Sequence, residues 1–532
     1  MHRWRALAAG LVLGGLMAGC GGGGGGGGSR STMFTPESQL AQQCAPDNPY
    51  VADASGTTTI GSLVTEKSWM RSYFDSAYLW YDQVPTVDAN AAAYSGPMTD
   101  LDYYGVPLPL SNYFEALKTT QTTASGALRD RFSFTYPTKA WNDLSQSGVT
   151  AGYGIEWAYI SSSAPRSWRV AIVQAGSPAA AAGLQRGDTL LQVDGVDFVN
   201  GTDTDTLNNG LLPVSGTTHT LVLSRAGSAT NITASMTASD SVVINPVPIV
   251  EVITTATGKV GYLHFTDHIA SSETMLISAI SAFQAQGVTD LVLDMRYNGG
   301  GYLYIASELA YMIAGPTRVS GKYFEKLQYN AKRTADNTRS PTPFYNTSCI
   351  LNASYNCTNE QPLPTLNLGR VFVIAQGDTC SASEAVINGL NGIDVNVILI
   401  GGTTCGKPYG FTARDNCGVS YFPIEFMGTN YKGFGDYADG FTPVTANAGG
   451  ANLPGCPTVD DFAHSLGDTS EQMLATALQQ RVDGTCLTPV ASATGASPAT
   501  RLAVRQGQSA AGSVARWSPR QGRVLLPRTS GR

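Results

Sequence analysis

The sequence predicts a multidomain α/β protein, and two patterns along the chain support that prediction. Residues 260–312 and 371–407 alternate apolar, strand-like runs with amphipathic helical segments, which is typical of an α/β core. Residues 151–224 contain short strand-like runs separated by glycine-rich turns, which indicates a β-rich domain. A chain of 532 residues has room for roughly two to four domains.

Composition argues against a nucleic-acid partner, an internal membrane span, and a bound metal or cofactor. The formal net charge is −7 with no clustered basic face in the body of the chain, so no nucleic-acid partner is expected. No internal apolar run approaches the roughly 20 residues that span a bilayer. With only five histidines and no CxxC spacing, we expect no metal site and no cofactor.

The first 20 residues predict an export signal. Arg3 and Arg5 precede an apolar run over 6–18, and the run ends in the small residues before Cys20. This pattern resembles a bacterial lipoprotein signal with Cys20 as the lipidated residue, although a plain secretory signal is the alternative. Residues 21–59, which begin with eight glycines, are then a tether and linker. We therefore expect a periplasm-facing protein of the cell envelope that is anchored to a membrane by lipid. The residue after Cys20 is not aspartate, which favours the outer membrane.

Residues 60–140 are predicted to form a small helical N-terminal domain. Trp69, Tyr73, Ala77 and Trp80 recur at helical spacing within residues 66–82, so they form a packing face. Residues 250–486 form the larger α/β core, with helices predicted over 272–286 and 470–482. Residues 487–532 contain seven arginines and no acidic residue and are rich in small residues, so this tail is predicted to be disordered.

Within residues 150–240, the run SPAAAAGLQRGD at 177–188 is followed by a short strand and by Val-Asp-Gly at 193–195. This combination is a specific signature, and by it residues 150–240 resemble a PDZ domain. The resemblance implies that the backbone N–H groups of Tyr153, Gly154 and Ile155 hold the C-terminal carboxylate of a peptide. The alternative is that this domain only packs against the others and spaces them.

A serine and a lysine are the candidate catalytic pair. Ser381 follows a strand at 371–375 and begins a helix, and Lys407 follows the next strand at 397–400, so the two can meet in space. Such a pair allows serine acylation chemistry without a histidine. Read alone, Ser381 with Glu384 is also a helix capping box, and Lys407 is a solvated lysine.

Four motifs in order carry a family resemblance: VGYL at 260–263, LDMRYNGG at 293–300, TCSASE at 379–384 and TTCGK at 403–407. Their order resembles that of C-terminal processing (tail-specific) proteases, the S41 serine peptidases. The resemblance implies a ClpP/crotonase-like α/β core, with Ser381 as nucleophile and Lys407 as general base. It also implies an oxyanion hole from the N–H groups of Ala382 and of the Gly299–Gly300 turn.

The resemblance has departures that bear on the site. Many relatives carry a glutamine four residues after the lysine, where this chain has Phe411, so another group must orient Lys407. Gly299 stands where the family usually has proline. Ser383 is the rival nucleophile, but it falls in the first turn of the helix. A free lysine has a pKa near 10.4, so a dry niche must lower the pKa by roughly 3, at a cost of about 4 kcal/mol.

We therefore predict a serine endopeptidase that cleaves polypeptides, near or guided by their C-terminal ends. The alternative is a catalytically silent, PDZ-containing lipoprotein that binds peptides as a scaffold. Eight cysteines remain once Cys20 is set aside, and an even number in an exported chain suggests disulfides. Proximity in sequence favours Cys349 with Cys357, Cys405 with Cys417 and Cys456 with Cys486, which leaves Cys44 with Cys380.

Overall fold

A sheet of seven strands lies at the centre of the described part of the chain. The computed structural model describes residues 34–352, 357–358, 360–446, 448–487 and 523–525, so Cys20 and the export signal lie outside the described residues. From one edge to the other, the sheet runs through Ile249–Thr255, Gly258–His264, Asp290–Asp294, Arg370–Ala375, Asn396–Gly401, Asn452–Pro457 and Thr442–Val444. The first pair is antiparallel and the other pairs are parallel.

Helices cover both faces of this sheet. Alternate residues of the strands point to opposite faces, so Val371 and Val373 pack on one side while Phe372 and Ile374 pack on the other. Helices Ser272–Ala285, Leu303–Ala314 and Ala382–Gly392 lie on the first side, and Gln472–Asp483 lies on the second. Burial on both faces explains why the central strands are continuous apolar runs. The α/β prediction is confirmed.

The N-terminal helices share the core of this α/β unit. They span Leu63–Ala77, Leu108–Ala116 and Thr138–Ser147, and short helices lie at Glu37–Leu40, Pro316–Val319 and Thr334–Asn337. The predicted packing residues Trp69, Tyr73, Ala77 and Trp80 are buried in the same apolar cluster as the sheet. The helix ends at Ala77, because Tyr78 takes an extended backbone conformation. Trp80 therefore packs into the core from the turn that follows the helix.

Smaller sheets attach to the central unit. One contains Thr342–Pro343, Tyr323–Tyr329, Phe426–Thr429 and Tyr409–Gly410, and another contains Arg414–Asn416, Val419–Phe422 and Phe134–Pro137. Two-stranded pairs join Gln43–Cys44 to Thr59–Ile60, Val149–Gly152 to Ser239–Val243 and Ile350–Leu351 to Cys357–Thr358. Within the described ranges, no helix combines the length and the apolar character needed to cross a bilayer.

The β-rich domain has its own apolar cluster. Its sheet runs through Ile232–Thr237, Thr218–Ser224, Thr189–Val193, Ser167–Val173 and Ile155–Ser161, with Val196–Asp197 paired to Thr189–Val193. Helices Pro178–Ala181 and Thr204–Leu211 complete it. Trp168, Phe198, Leu207 and Leu221 are buried inside it, separate from the main cluster.

Two of the four predicted disulfides form and two predictions are wrong. Cys349 is bonded to Cys357 and Cys456 to Cys486, as predicted. Cys44 pairs with Cys417 instead of Cys380, and Cys380 pairs with Cys405. The errors have one cause, because the prediction relied on nearness in sequence, whereas the fold brings the N-terminal segment beside residue 417, which lies 373 positions from Cys44.

One prediction for the C-terminal tail is also wrong for three residues. Arg523–Leu525 form a strand that pairs in parallel with Gly300–Tyr302. Val524 and Leu525 belong to a short apolar run in this tail, and such a run can take a strand conformation beside an unpaired strand edge. The remaining tail residues beyond Leu487 lie outside the described residues.

Candidate active site

Ser381 lies at the sharp turn between strand Arg370–Ala375 and helix Ala382–Gly392. Its φ of +60° is in the left-handed region that non-glycine residues rarely adopt. Neighbouring hydrogen bonds hold the turn, since Thr379 Oγ1 donates to the carbonyl of Met295 and Cys380 N–H donates to that of Asn298. The Ser381 side chain is only 1% exposed, and its Oγ atom has no hydrogen-bond partner. The hydroxyl is therefore held in place without being consumed by a structural bond.

Lys407 is buried beside aromatic rings. The residue is 1% exposed, and its Nζ atom lies 4.1 Å from the ring centroid of Phe411 and 5.5 Å from that of Phe132. Gly406 just before it has a φ of +83°, and a Cβ atom there would lie 2.4 Å from the carbonyl oxygen of Ala438. The loop therefore needs glycine to enter this tight space, and the lysine that follows is surrounded by protein rather than by water.

Glu384 holds the serine turn and the lysine loop together. Its Oε2 atom accepts the backbone N–H of Ser381 at 3.0 Å and that of Lys407 at 2.8 Å. Its Oε1 atom accepts the N–H of Gly406 at 2.8 Å and the hydroxyl of Thr404. Burial raises the pKa of Glu384, and the four donors oppose that rise. A single carboxylate thus fixes the backbones of both candidate catalytic residues.

A disulfide joins the same two segments covalently. Cys380 precedes Ser381, Cys405 lies two residues before Lys407, and the two cysteines are bonded with their Cα atoms 5.2 Å apart. The sulfur atoms of this pair and a carboxylate oxygen of Glu384 lie within 4.8 Å of one another, a grouping that could resemble a metal site. Because the sulfur atoms are bonded to each other, they offer no thiolate ligands, and the cluster does not suit a metal ion.

Asn298 organises the glycine turn beside Ser381. Its carbonyl oxygen accepts from Cys380 N–H at 3.0 Å and from Ser383 Oγ at 3.1 Å. Its side-chain Oδ1 atom accepts the N–H of Gly300 at 3.0 Å and lies 3.0 Å from Nδ1 of His268. The rival nucleophile Ser383 therefore has its hydroxyl engaged by a backbone carbonyl. The N–H of Gly300, predicted as an oxyanion donor, is also engaged in this arrangement.

The remaining predicted oxyanion residues lie on either side of Ser381. Ala382 is the first residue of the helix and is fully buried. Its N–H belongs to the first turn, where N–H groups have no partner within the helix. Gly299 directly follows Asn298 in the turn that contacts the Ser381 segment.

Histidine is not part of this constellation. His268 is bonded to Asn298, and His464 pairs with Asp461 at 2.6 Å on the surface. Burial lowers the pKa of His264 to about 4, so this histidine is neutral at physiological pH.

The β-rich domain contacts the core beside the glycine turn. Arg296 and Tyr297, which precede the turn, both bond to Asp460, and Arg296 also pairs with Glu471 at 2.8 Å. Arg186 from the β-rich domain reaches the same carboxylate of Asp460 at 2.6 Å and the hydroxyl of Tyr297 at 3.0 Å. A buried network of charges thus connects this domain to the segment that leads into the turn.

The predicted peptide-binding loop precedes an edge strand. Tyr153 is buried, Gly154 has a φ of +79°, and Ile155 begins the strand Ile155–Ser161. That strand is the last in its sheet and pairs on one side only, with Ser167–Val173. The geometry of an edge strand next to a glycine loop suits addition of a peptide strand.

A pocket of about 600 Å³ opens next to the lysine loop. Tyr409, two residues after Lys407, forms part of its wall, and Gly440 borders both the pocket and the backbone of the loop. Its other walls combine aromatic and polar side chains, including Trp80, Arg129, Tyr329, Tyr437 and Asp439.

The fold and the site together define a class, an α/β protein with a buried serine–lysine pair and an attached β-rich domain. Residues 259–415 match the sequence profile of Peptidase family S41, and residues 169–208 match that of a PDZ domain. The chain therefore carries an S41 peptidase domain joined to a PDZ domain, which confirms the resemblance seen in the motifs.

Similar proteins agree with this assignment. A carboxyl-terminal-processing protease from Picosynechococcus sp. is 33% identical over 143 residues, which cover 25% of this chain and 32% of the relative. One from Synechocystis sp. is 30% identical over 138 residues, which cover 26% and 31%. The matching segment thus spans about a third of these relatives. A solved structure from Bacteroides fragilis, assigned to the S41 proteases, shares the fold with a TM-score of 0.55 and 24% identity, over 78% of this chain and 96% of that chain.

Sequence reasoning missed three features of the site. It treated Glu384 only as part of a capping box, and it did not foresee the ring contacts of Phe411 or the covalent link between Cys380 and Cys405. The spacing of TCSASE and TTCGK offered a signal, since each motif places a cysteine beside its candidate catalytic residue.

Proposed function

We propose that this chain is a serine endopeptidase in which Ser381 is the nucleophile and Lys407 is the general base. The observation that carries the proposal is the shared bond to Glu384 Oε2, because it holds the backbones of Ser381 and Lys407 next to each other. The burial of both side chains and the unpartnered Oγ atom of Ser381 add to it.

The proposed reaction follows from the chemistry of these groups. The neutral amine of Lys407 takes the proton from Ser381 Oγ as the oxygen attacks the carbonyl carbon of a peptide bond. The oxyanion that forms needs donors fixed in advance, and we assign the N–H groups of Ala382, Gly299 and Gly300 to that task, the last after it leaves Asn298. The leaving amine takes the proton from Lys407, and water then hydrolyses the acyl ester.

The aromatic rings around Lys407 orient it in place of the glutamine that many relatives carry. Phe411 occupies the position of that glutamine, and its ring face lies 4.1 Å from the Nζ atom. An ammonium group over a ring face is attracted to it, and a ring excludes water from that side. We therefore assign to Phe411 the role of positioning the lysine.

The proposal also covers the domain organisation, the peptide-binding loop and the location of the protein. We propose that the core is crotonase-like and that the boundaries 60–140, 150–240 and 250–486 delimit the domains. We also propose that the Tyr153–Gly154–Ile155 loop selects polypeptides by their C-terminal carboxylate. A lipid anchor at Cys20, facing the periplasm and favouring the outer membrane, completes the proposal.

Cleavage of an unfolded protein such as casein tests the dyad. Ser381→Ala and Lys407→Ala should each abolish cleavage by residues 21–532, while Ser383→Ala should retain most of it, because Ser383 only donates to Asn298. Loss of activity in Ser383→Ala with retention in Ser381→Ala would reverse the nucleophile assignment. If the unsubstituted chain cleaves no better than either dyad variant, the protein is a peptide-binding scaffold instead.

A further inference from the structure

The strand Gly300–Tyr302 bonds His268 along one side and pairs with the tail strand Arg523–Leu525 along the other. The N–H of His268 donates to the carbonyl of Gly300 at 3.1 Å, and the N–H of Tyr302 donates to the carbonyl of His268 at 2.8 Å. Successive residues of a strand direct their backbone groups to opposite sides. The N–H and the carbonyl of Gly301 therefore point away from His268 and toward Arg523–Leu525.

The register of the tail strand fits this alternation. Gly301 is opposite Val524 in a parallel pair. In a parallel ladder with this register, Gly301 N–H bonds the carbonyl of Arg523, and the carbonyl of Gly301 receives the N–H of Leu525. The tail strand thus adds to this edge through backbone groups, which is how extended peptides are captured at sheet edges.

This edge of Gly300–Tyr302 lies next to the residues proposed to carry out catalysis. Gly300–Tyr302 directly follows the turn assigned to the oxyanion hole, and the tail strand also comes within 8 Å, between Cα atoms, of Tyr409–Gly410. Tyr409–Gly410 begins two residues after Lys407 and borders the pocket described above. The tail strand therefore lies between the strand that follows the oxyanion turn and the strand that follows the proposed base.

Charge also favours binding of the tail to the rest of the chain. Seven of the 33 lysines and arginines lie in residues 487–532, which contain no acidic residue, so the rest of the chain carries a formal net charge of −14. A basic tail is attracted to an acidic body over long range. The tail is also covalently attached, and the effective concentration of such a ligand can reach about 1 mM.

We propose that the chain's own C-terminal tail docks through residues 523–525 on the edge of Gly300–Tyr302 that faces away from His268 and competes there with substrate. The inhibition rests on the proposed peptidase function, whereas the docking does not. At an effective concentration of about 1 mM, a tail strand with a Kd of about 0.1 mM raises the apparent KM about tenfold and leaves kcat unchanged. Substrates enter by displacing the tail and form the same parallel strand.

A binding experiment tests the docking without requiring activity. The protein is the full chain carrying Ser381→Ala, with Leu525→Pro to remove the N–H that pairs with Gly301 and so vacate the edge. A fluorescent peptide of residues 518–530 should bind it. An N-methyl group on Leu525 of the peptide should weaken binding at least tenfold, whereas one on Val524, whose N–H points away, should leave it nearly unchanged. Failure to bind, or equal binding of the two methylated peptides, overturns the proposal.

A kinetic experiment tests the competition in the active full chain. Leu525→Pro should lower the apparent KM for an unfolded substrate about tenfold with kcat unchanged, and the matched control Val524→Pro should behave as the unsubstituted chain does. An unchanged KM in Leu525→Pro overturns the inhibition. Absence of any cleavage in all variants refutes the peptidase function instead, while the binding experiment still decides the docking.

Discussion

Replacement of Glu384 by glutamine should separate the two halves of the site. The carboxylate accepts two donors on each oxygen: Ser381 and Lys407 on Oε2, and Gly406 and Thr404 on Oε1. A glutamine keeps one accepting oxygen and presents an NH2 group in place of the other. Two buried donors then lose their acceptor whichever way the amide turns.

The magnitude follows from those two bonds. A hydrogen bond to a charged group contributes about 1.5–3 kcal/mol, so Glu384→Gln should reduce the free energy of unfolding by about 3–6 kcal/mol. A displacement of about 1 Å between reacting groups costs about 100-fold in rate. We therefore expect kcat for casein-derived peptides to fall about 100-fold or more in the folded fraction, with KM little changed.

Glu66→Gln provides the matched control. Glu66 is also a buried carboxylate, and it accepts hydrogen bonds from the backbone N–H of Ala45 and the side chain of Asn48 rather than from the candidate dyad. Urea unfolding and steady-state kinetics of both variants, at a temperature where both are folded, distinguish a general loss of stability from a local one. Glu66→Gln should lose stability yet keep its kcat. If Glu384→Gln keeps the kcat of the unsubstituted chain while folded, the role given to this carboxylate is wrong.

Three further predictions follow from single contacts. Phe411→Leu should lower kcat about 3- to 10-fold, because it removes the ring that stabilises the ammonium formed when Lys407 takes the serine proton. Equal loss in Phe422→Leu, measured by the same kinetics, would attribute the effect to aromatic packing instead. Cys380→Ser with Cys405→Ser should reduce the free energy of unfolding by about 3.5 kcal/mol for a 25-residue separation, and an unchanged urea midpoint would contradict this. Burial raises the pKa of Glu325 to about 8, so the stability that its protonated form contributes is present below pH ~4.5 and lost as pH rises to about 8. Between pH 4.5 and 8, the free energy of unfolding measured in urea should therefore fall by about 4 kcal/mol less in Glu325→Gln than in the unsubstituted chain. Parallel plots of this free energy against pH for the two chains would refute the prediction.

The catalytic candidates could be predicted because their signals are local. Ser381 and Lys407 each lie in a short motif that joins a strand to a turn, and consecutive strands tend to be neighbours in a parallel sheet, as these two are. The α/β core could be predicted for the same reason, since buried parallel strands are continuous apolar runs. These features depend on a few residues at a time.

Two of the missed features, the Cys44–Cys417 disulfide and the tail strand, depend on residues that are distant in the chain. Cys44 and Cys417 meet only because the N-terminal segment crosses to the sheet around residues 414–422, where Gln42 bonds both Asn416 and Cys417. The tail strand at Arg523–Leu525 lies more than 200 residues from the edge it adds to. Such long-range pairings leave no periodic pattern in the sequence. For the tail, composition was the only signal, and it favoured disorder.

The covalent link between Cys380 and Cys405 has a consequence for when the protein can act in a cell. Protein thiols in the cytosol are kept reduced, whereas exported proteins meet an oxidising environment. Under the export proposed above, a newly made chain in the cytosol would have two free thiols where the oxidised protein has a bond. The serine turn and the lysine loop would then be joined only by weaker contacts while the chain is surrounded by other unfolded polypeptides. Under the proposed export and peptidase function, oxidation would join the serine turn to the lysine loop only after the chain leaves the cytosol, so cytosolic polypeptides would be spared from cleavage.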